Sequence, residues 1–195
     1  VYDGDRVHGS SAQVLHAGER NELVIRGSLG VQALYAYLAA IAVADLLGLS
    51  RIRYTRTVAS QGRMHALKGI KGSAIIDDSY NASPAATQAA LNVLAQVVPD
   101  RKKIAVLGDM LELGKYSGEE HRKIGAQAAR VADLLVTVGV RAKAIADGAI
   151  KAGMPKKAVA EFDDTRLAKE FVREQIKKGD VVLVKGSQGT RMERI

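Results

Sequence analysis

From Ser73 to the end of the chain, short unbroken apolar runs alternate with longer segments whose apolar residues recur every three or four positions. The runs are SAIID (73–77), KIAVLGD (103–109), DLLVTVG (133–139), AVAEF (158–162) and DVVLVKG (180–186). The segments between them are PAATQAALNVLAQVV (84–98), GEEHRKIGAQAARVA (118–132), RAKAIADGAIKAG (141–153) and TRLAKEFVREQIKK (165–178). Runs that are apolar on both faces are strands covered on both sides, and recurrence at three and four is the mark of a helix with one buried face. The alternation predicts right-handed crossovers and an α/β fold: a Rossmann-like, mostly parallel sheet with helices on both faces.

The first sixty residues read differently. VYDGDRVHGSSAQVLHAGERNELVIRG carries turn signals at Asp3-Gly4, His8-Gly9 and Ala17-Gly18 between alternating stretches, which predicts two or three antiparallel strands. One apolar helix follows, from about Val31 to Leu47, stopped by Gly48. This block is too small to bury that helix by itself. It is expected to be the tail of a larger domain or a layer against another chain. YTRTVASQGRMHALKGIKG (54–72) is polar and glycine-bearing and reads as a linker, so the chain divides into 1–60 and 61–195.

Composition narrows the function classes. Apolar residues make up 47% of the chain but aromatics only 4%, with no Trp, so the core is aliphatic. No apolar run reaches the roughly 18 residues that span a bilayer; the longest candidate is broken by Asp45. No signal peptide is expected at the start. The absence of Cys removes disulfides and thiolate metal sites and fits a reducing cytoplasm. A net charge of +8 suits a solvated surface, an anionic small ligand or nucleic acid. Because aromatics are not interleaved with the basic residues, nucleic acid ranks last.

Ligands of open α/β sheets bind beyond the carboxyl ends of the strands. Here those ends carry the chemistry. The first run ends in Asp77, Asp78, Ser79, Tyr80, Asn81 and Ser83, the second in Asp109, and the last in Lys185, Gly186 and Ser187. Ser83 before Pro84 also suits a helix N-cap. The two adjacent acids should face opposite sides of the strand. Lys185, among small residues, reads either as a carboxylate or phosphate binder or as a surface lysine. GDMLELGKY is not a phosphate-binding P-loop: five residues part Gly108 from Gly114, and Tyr116 follows the lysine. No dinucleotide fingerprint and no serine-hydrolase elbow occur in the sequence. The four histidines are scattered, so no metal site is expected.

GRMHALKG, IIDDSYNASPAAT, VLGDMLELGKYSGEEHRKIG and VVLVKGSQGTRMERI occur in that order over Gln61–Ile195. In this they resemble the carboxy-terminal part of the Mur ligases. The resemblance implies a Rossmann-like third domain, preceded here by the end of the family's central ATPase domain. It implies an ATP-dependent amide ligation in peptidoglycan precursor synthesis, through an acyl phosphate. The substrates would be ATP, UDP-N-acetylmuramoyl-tripeptide and D-alanyl-D-alanine, with Mg2+, and with no nucleic acid or membrane partner. It places Arg63, Asp78, Tyr80 and Asn81 near the nucleotide, and Ser83, Asp109, Lys185, Gly186 and Ser187 around the dipeptide, with no catalytic residue in this chain. The P-loop and the family's magnesium ligands are not in the sequence, so the remaining Mur ligase domains are expected as partners and this piece alone should not ligate. The family's His-Asn pair before the long helix is missing, with Gln32 in that stretch, and its second Asn and its Arg are Ser83 and Gln188 here. A non-catalytic binding module of the same fold, or a folylpolyglutamate or cyanophycin type of ligase, stand as alternatives.

Overall fold

The computed structural model describes residues 2–3, 6–7, 9–16, 18–49, 60–98 and 100–195. Each of the three turn pairs expected near the start includes a residue outside that set, as does the first part of the expected linker.

Two short antiparallel pairs open the chain. β1 (Tyr2–Asp3) pairs with β2 (Arg6–Val7), and β3 (Gly9–His16) with β4 (Glu19–Arg26). α1 (Val31–Leu46) follows. It is apolar all round, yet only Ile41 is buried, and Tyr35, Val43 and Leu46 stand exposed. A helix of that composition normally lies inside a core.

The remaining elements form one six-stranded sheet. They are β5 (His65–Lys68), β6 (Ala74–Asp78), α2 (Pro84–Gln96), β7 (Lys103–Gly108), α3 (Ser117–Val131), β8 (Leu134–Val138), α4 (Lys143–Lys151), β9 (Val159–Phe162), α5 (Thr165–Gln175) and β10 (Val181–Lys185). The strand order is β5-β6-β10-β7-β8-β9. Every pair is parallel except β5–β6, where Lys68 lies opposite Ala74 and His65 opposite Asp77. β5 corrects the reading of 54–72 as linker. Four residues are too few to show a period of two, and β5 is held as an edge strand by pairing with β6.

Alternation along the strands sorts the core into two layers. Ile76, Leu107, Leu135 and Leu183 meet Leu91 and Leu94 of α2, Ile124 of α3 and Ile145 of α4. Val106, Val136, Val182 and Val184 meet Ala168 and Val172 of α5 and Ile176 just after it. One close approach sets the spacing of α3 and α4. A side-chain carbon on Gly125 would lie 1.9 Å from the Ile145 carbonyl oxygen, and one on Gly148 would lie 2.2 Å from that of Arg122. The two glycines let the backbones touch.

After β10 come two short 3-10 turns, Gln188–Thr190 and Met192–Arg194, parted by Arg191 at φ 54°. The Met192 side chain is fully buried in the α5 layer.

Candidate functional site

The chain between β4 and β6 is tied to both. The Leu29 amide donates to the Met64 carbonyl and the Ala66 amide to the Gly27 carbonyl, each at 2.9 Å. Gly62 turns this segment at φ 70° and packs against Tyr80, where a side-chain carbon would come within 3.0 Å of the Tyr80 amide nitrogen. Met64 also has a left-handed backbone, at φ 48°. Such a conformation in a non-glycine residue persists only where neighbours hold it.

The neighbours are the two acids at the end of β6. Asp77 accepts from the Gly62 amide at 3.0 Å through one oxygen, and from the Ser79 hydroxyl at 2.6 Å through the other. Asp78 accepts from the Met64 amide at 3.0 Å. Its second oxygen takes an ion pair from the Lys185 ammonium at 2.5 Å. Lys185 also donates to the Asn81 carbonyl at 2.9 Å. The Lys185 side chain is 2% exposed and that of Asp78 12%. Lys185 is therefore neither a surface lysine nor an open anion site. It ends the buried run VVLV, and a lysine that deep is found only with a partner.

A cleft of about 640 Å³ opens between the start of α1 and these strand ends. Ser28, Gln32, Ala36 and Tyr37 form one wall, and Arg63, Asp78, Tyr80, Asn81, Ser83 and Lys185 the other. The two acids point to opposite sides as strand alternation requires: Asp78 lines this cleft, and Asp77 a second hollow bounded by His65 and Arg191. Arg63 holds its guanidinium 4.3 Å from the centre of the half-exposed Tyr80 ring, a cation–π contact at the cleft mouth. Ser83 caps α2, accepting from the Ala86 amide at 3.3 Å, with Pro84 at the first helical position.

Asp109, Gly186 and Ser187 lie outside that cleft, on the adjoining strand ends. Asp109 accepts from the Ala142 amide at 2.7 Å and has Arg141 at 3.8 Å, so it ties the loop after β7 to that after β8. The Ser187 hydroxyl donates to the Ala82 carbonyl and accepts from the Leu111 amide. Gly186 sits where a side-chain carbon would meet Met192 at 2.5 Å. His121 is fully buried and works as a brace. Its Nε2 accepts from the Met110 amide at 3.0 Å, which leaves the proton on Nδ1, donating to the Ser117 carbonyl at 2.7 Å.

Sequence reasoning gave no part to Gly62, Met64 or Tyr37. Asp78 holds the turn that carries Arg63 through the Met64 backbone amide, 14 residues away, which no side-chain pattern reveals. The Lys185–Asp78 pair spans 107 residues. The only local signal was a lysine at the end of an otherwise apolar buried strand.

Residues 62–188 match the family described as Mur ligase, glutamate ligase domain. The chain belongs to the Mur ligase family. A UDP-N-acetylmuramoyl-tripeptide–D-alanyl-D-alanine ligase of Bacillus subtilis is 32% identical over 76% of this Mur ligase chain and 31% of its own length. The enzyme of that name from Mycobacterium bovis is 34% identical over 89% of the chain and 38% of its own length. The one from Treponema pallidum is 32% identical over the whole chain and 44% of its own. The chain thus spans between 31% and 44% of the length of these relatives. Among solved structures, the MurF ligase from Thermotoga maritima in complex with ADP superposes with a TM-score of 0.77. It is 29% identical, over 94% of this chain and 41% of that one. The α/β fold read from the alternation is the fold of these Mur ligases. Among the described residues no helix is long and apolar enough to cross a membrane.

Proposed function

We propose that the chain is the carboxy-terminal part of an ATP-dependent ligase that joins D-alanyl-D-alanine to UDP-N-acetylmuramoyl-tripeptide. The observation that carries this reading is one cleft lined by Arg63, Asp78, Tyr80, Asn81, Ser83 and Lys185, in a chain whose curated relatives share that printed activity. In the reaction the tripeptide carboxylate oxygen attacks the γ-phosphorus of ATP and ADP leaves. The dipeptide amine then attacks the acyl carbon, loses a proton, and phosphate departs. Little covalent chemistry falls to the protein, so its part is positioning and charge neutralisation.

The residues divide that work. Arg63, exposed and steered by the Tyr80 ring, offers the nucleotide a cation. Asp78 and Lys185 neutralise each other and hold the Gly62–Met64 turn, so they set where Arg63 stands. The Asn81 side chain faces the same mouth. Ser83 borders the dipeptide side, with Ser187, Gly186 and Asp109 shaping the adjoining loops. The described residues offer no magnesium site: no group of three His, Asp or Glu side chains converges, and Asp77 and Asp78 are engaged by amides, a hydroxyl and Lys185. The ion, like the triphosphate loop, is assigned to the other domains. A cytoplasmic setting accords with these substrates.

The test is phosphate release by the product of the complete reading frame, given UDP-N-acetylmuramoyl-tripeptide and ATP. Release that requires D-alanyl-D-alanine supports the assignment. Release with glutamate and a folate instead overturns it in favour of the folylpolyglutamate type, and no release with any acceptor favours a binding module.

A further inference from the structure

Among the described residues, basic side chains gather at one end of the sheet. The connections leading into β6, β7, β8, β9 and β10 all lie at the amino-terminal ends of the parallel strands, opposite the cleft. Into β6 come Lys68 and Lys71, and into β7 Arg101, Lys102 and Lys103. Lys151, Lys156 and Lys157 precede β9, and Lys177 and Lys178 precede β10. Against these ten basic residues stand Asp100, Asp133 and Asp180, a surplus of seven in a chain of net charge +8. One of the three acids is turned inward: Asp180, buried, accepts from the Lys177 amide, while the exposed Asp133 accepts from the Lys103 amide.

The patch is continuous from the β6 loop across that of β10 to that of β7, and the lysines before β9 lie one strand further on, past Asp133. The Lys178 stem lies against Gly72 and the Arg101 guanidinium against Gly179, which joins the loops of β6, β10 and β7. Six strands at a spacing of about 4.8 Å spread the ten basic residues over roughly 24 Å. Part of this band serves the helices: Lys71 donates to the Arg173 and Ile176 carbonyls at the end of α5, and Lys103 to the Ala95 carbonyl at the end of α2. Four helix carboxyl ends carry about half a negative charge each. That offsets roughly two of the seven, and the band remains strongly positive.

We infer that this basic pole docks the protein on a membrane surface rich in anionic lipid headgroups. Nine of the ten basic residues are lysines, and no aromatic residue occurs in these connections. Nucleic-acid sites lean on arginine forks and stacking rings, whereas lysines act as point charges suited to a diffuse headgroup layer. Ile70, 43% exposed between Lys68 and Lys71, adds an apolar tip to the band. Docking by this pole leaves the cleft at the opposite end open, and the inference does not depend on which substrates the cleft takes.

The test is co-sedimentation of the 195-residue chain with phosphatidylcholine vesicles containing none or 30% phosphatidylglycerol. Each basic residue near such a surface strengthens partitioning about fivefold. Replacing Lys156, Lys157, Lys177 and Lys178 together by Gln is expected to weaken partitioning onto the anionic vesicles by at least about 100-fold. Replacing Arg122, Lys123, Arg166 and Lys169 by Gln, an equal loss of charge off the pole, should weaken it less than tenfold. Binding of the unaltered chain should fall steeply between 50 and 300 mM salt, on the order of the screening expected for exposed charges, and this arm needs no variant to fold. Equal losses in the two variants, equal binding to neutral vesicles, no binding at 50 mM salt, or tighter binding to a duplex DNA oligomer would each overturn the inference.

Discussion

The Lys185–Asp78 pair gives the sharpest prediction. Lys185→Met removes the cation and leaves the Asp78 carboxylate, 12% exposed, with only the Met64 amide. Removing one partner of a buried pair costs about 3–5 kcal/mol, because the survivor keeps its charge without compensation. For a chain of this length, 1 kcal/mol moves the melting temperature by roughly 2–4 °C, so the variant should melt about 6–20 °C lower. Asp78→Asn should cost less, since the amide still accepts from Met64 while Lys185 keeps the Asn81 carbonyl. The double variant removes both charges and should recover at least about 2 kcal/mol relative to the sum of the singles. Urea and thermal denaturation followed by circular dichroism measure all three. A Lys185→Met loss under about 1 kcal/mol, or strict additivity in the double variant, would refute the buried pair as described.

Gly125→Ala drives a methyl group into the Ile145 carbonyl at the α3–α4 contact and should cost at least about 3 kcal/mol in urea unfolding, beyond ordinary overpacking. Asp164→Ala removes the side chain that accepts from the Arg166 and Leu167 amides at the start of α5, and should cost about 1 kcal/mol in the same assay. In the complete ligase, Tyr80→Ala should raise KM for ATP roughly tenfold while Tyr80→Phe stays near the parent, because the ring face and not the hydroxyl holds Arg63. Also in the complete ligase, Asp78→Ala should lose more kcat/KM than Asp109→Ala, and comparable losses in phosphate release would count against the cleft as the nucleotide side.

What could be read from the sequence follows physical lines. The five parallel strands were legible because burial on both faces forces unbroken apolar runs such as VVLV before Lys185 and LLVTV over 134–138. The four helices packed on them were legible from their periodic apolar faces. The strand ends were marked as the site because a parallel sheet collects its polar termini on one edge. The antiparallel edge strand at His65 was hidden because four residues with Leu67 exposed carry no pattern of their own. Asp78 and Lys185 were each singled out, but not as partners: their bond spans 107 residues and depends on β10 lying next to β6. The turn at Gly62 was hidden for a related reason, since its hydrogen bonds run from backbone amides to side chains 14 and 15 residues away.

The position of β10 has a consequence for how the chain is made. It is the last strand in sequence, yet it lies between β6 and β7, which meet each other only through it. About 77 residues separate the end of β7 from the end of β10. At ordinary synthesis rates, roughly 5–20 residues per second, two apolar strand edges therefore wait unpaired for about 4–15 s. Until β10 threads between them, each edge offers free amides and carbonyls to any passing strand. A ribosome that stalls before residue 180 leaves a nascent chain whose two half-sheets cannot close, and such a chain should be a substrate for chaperones or proteases and prone to self-association.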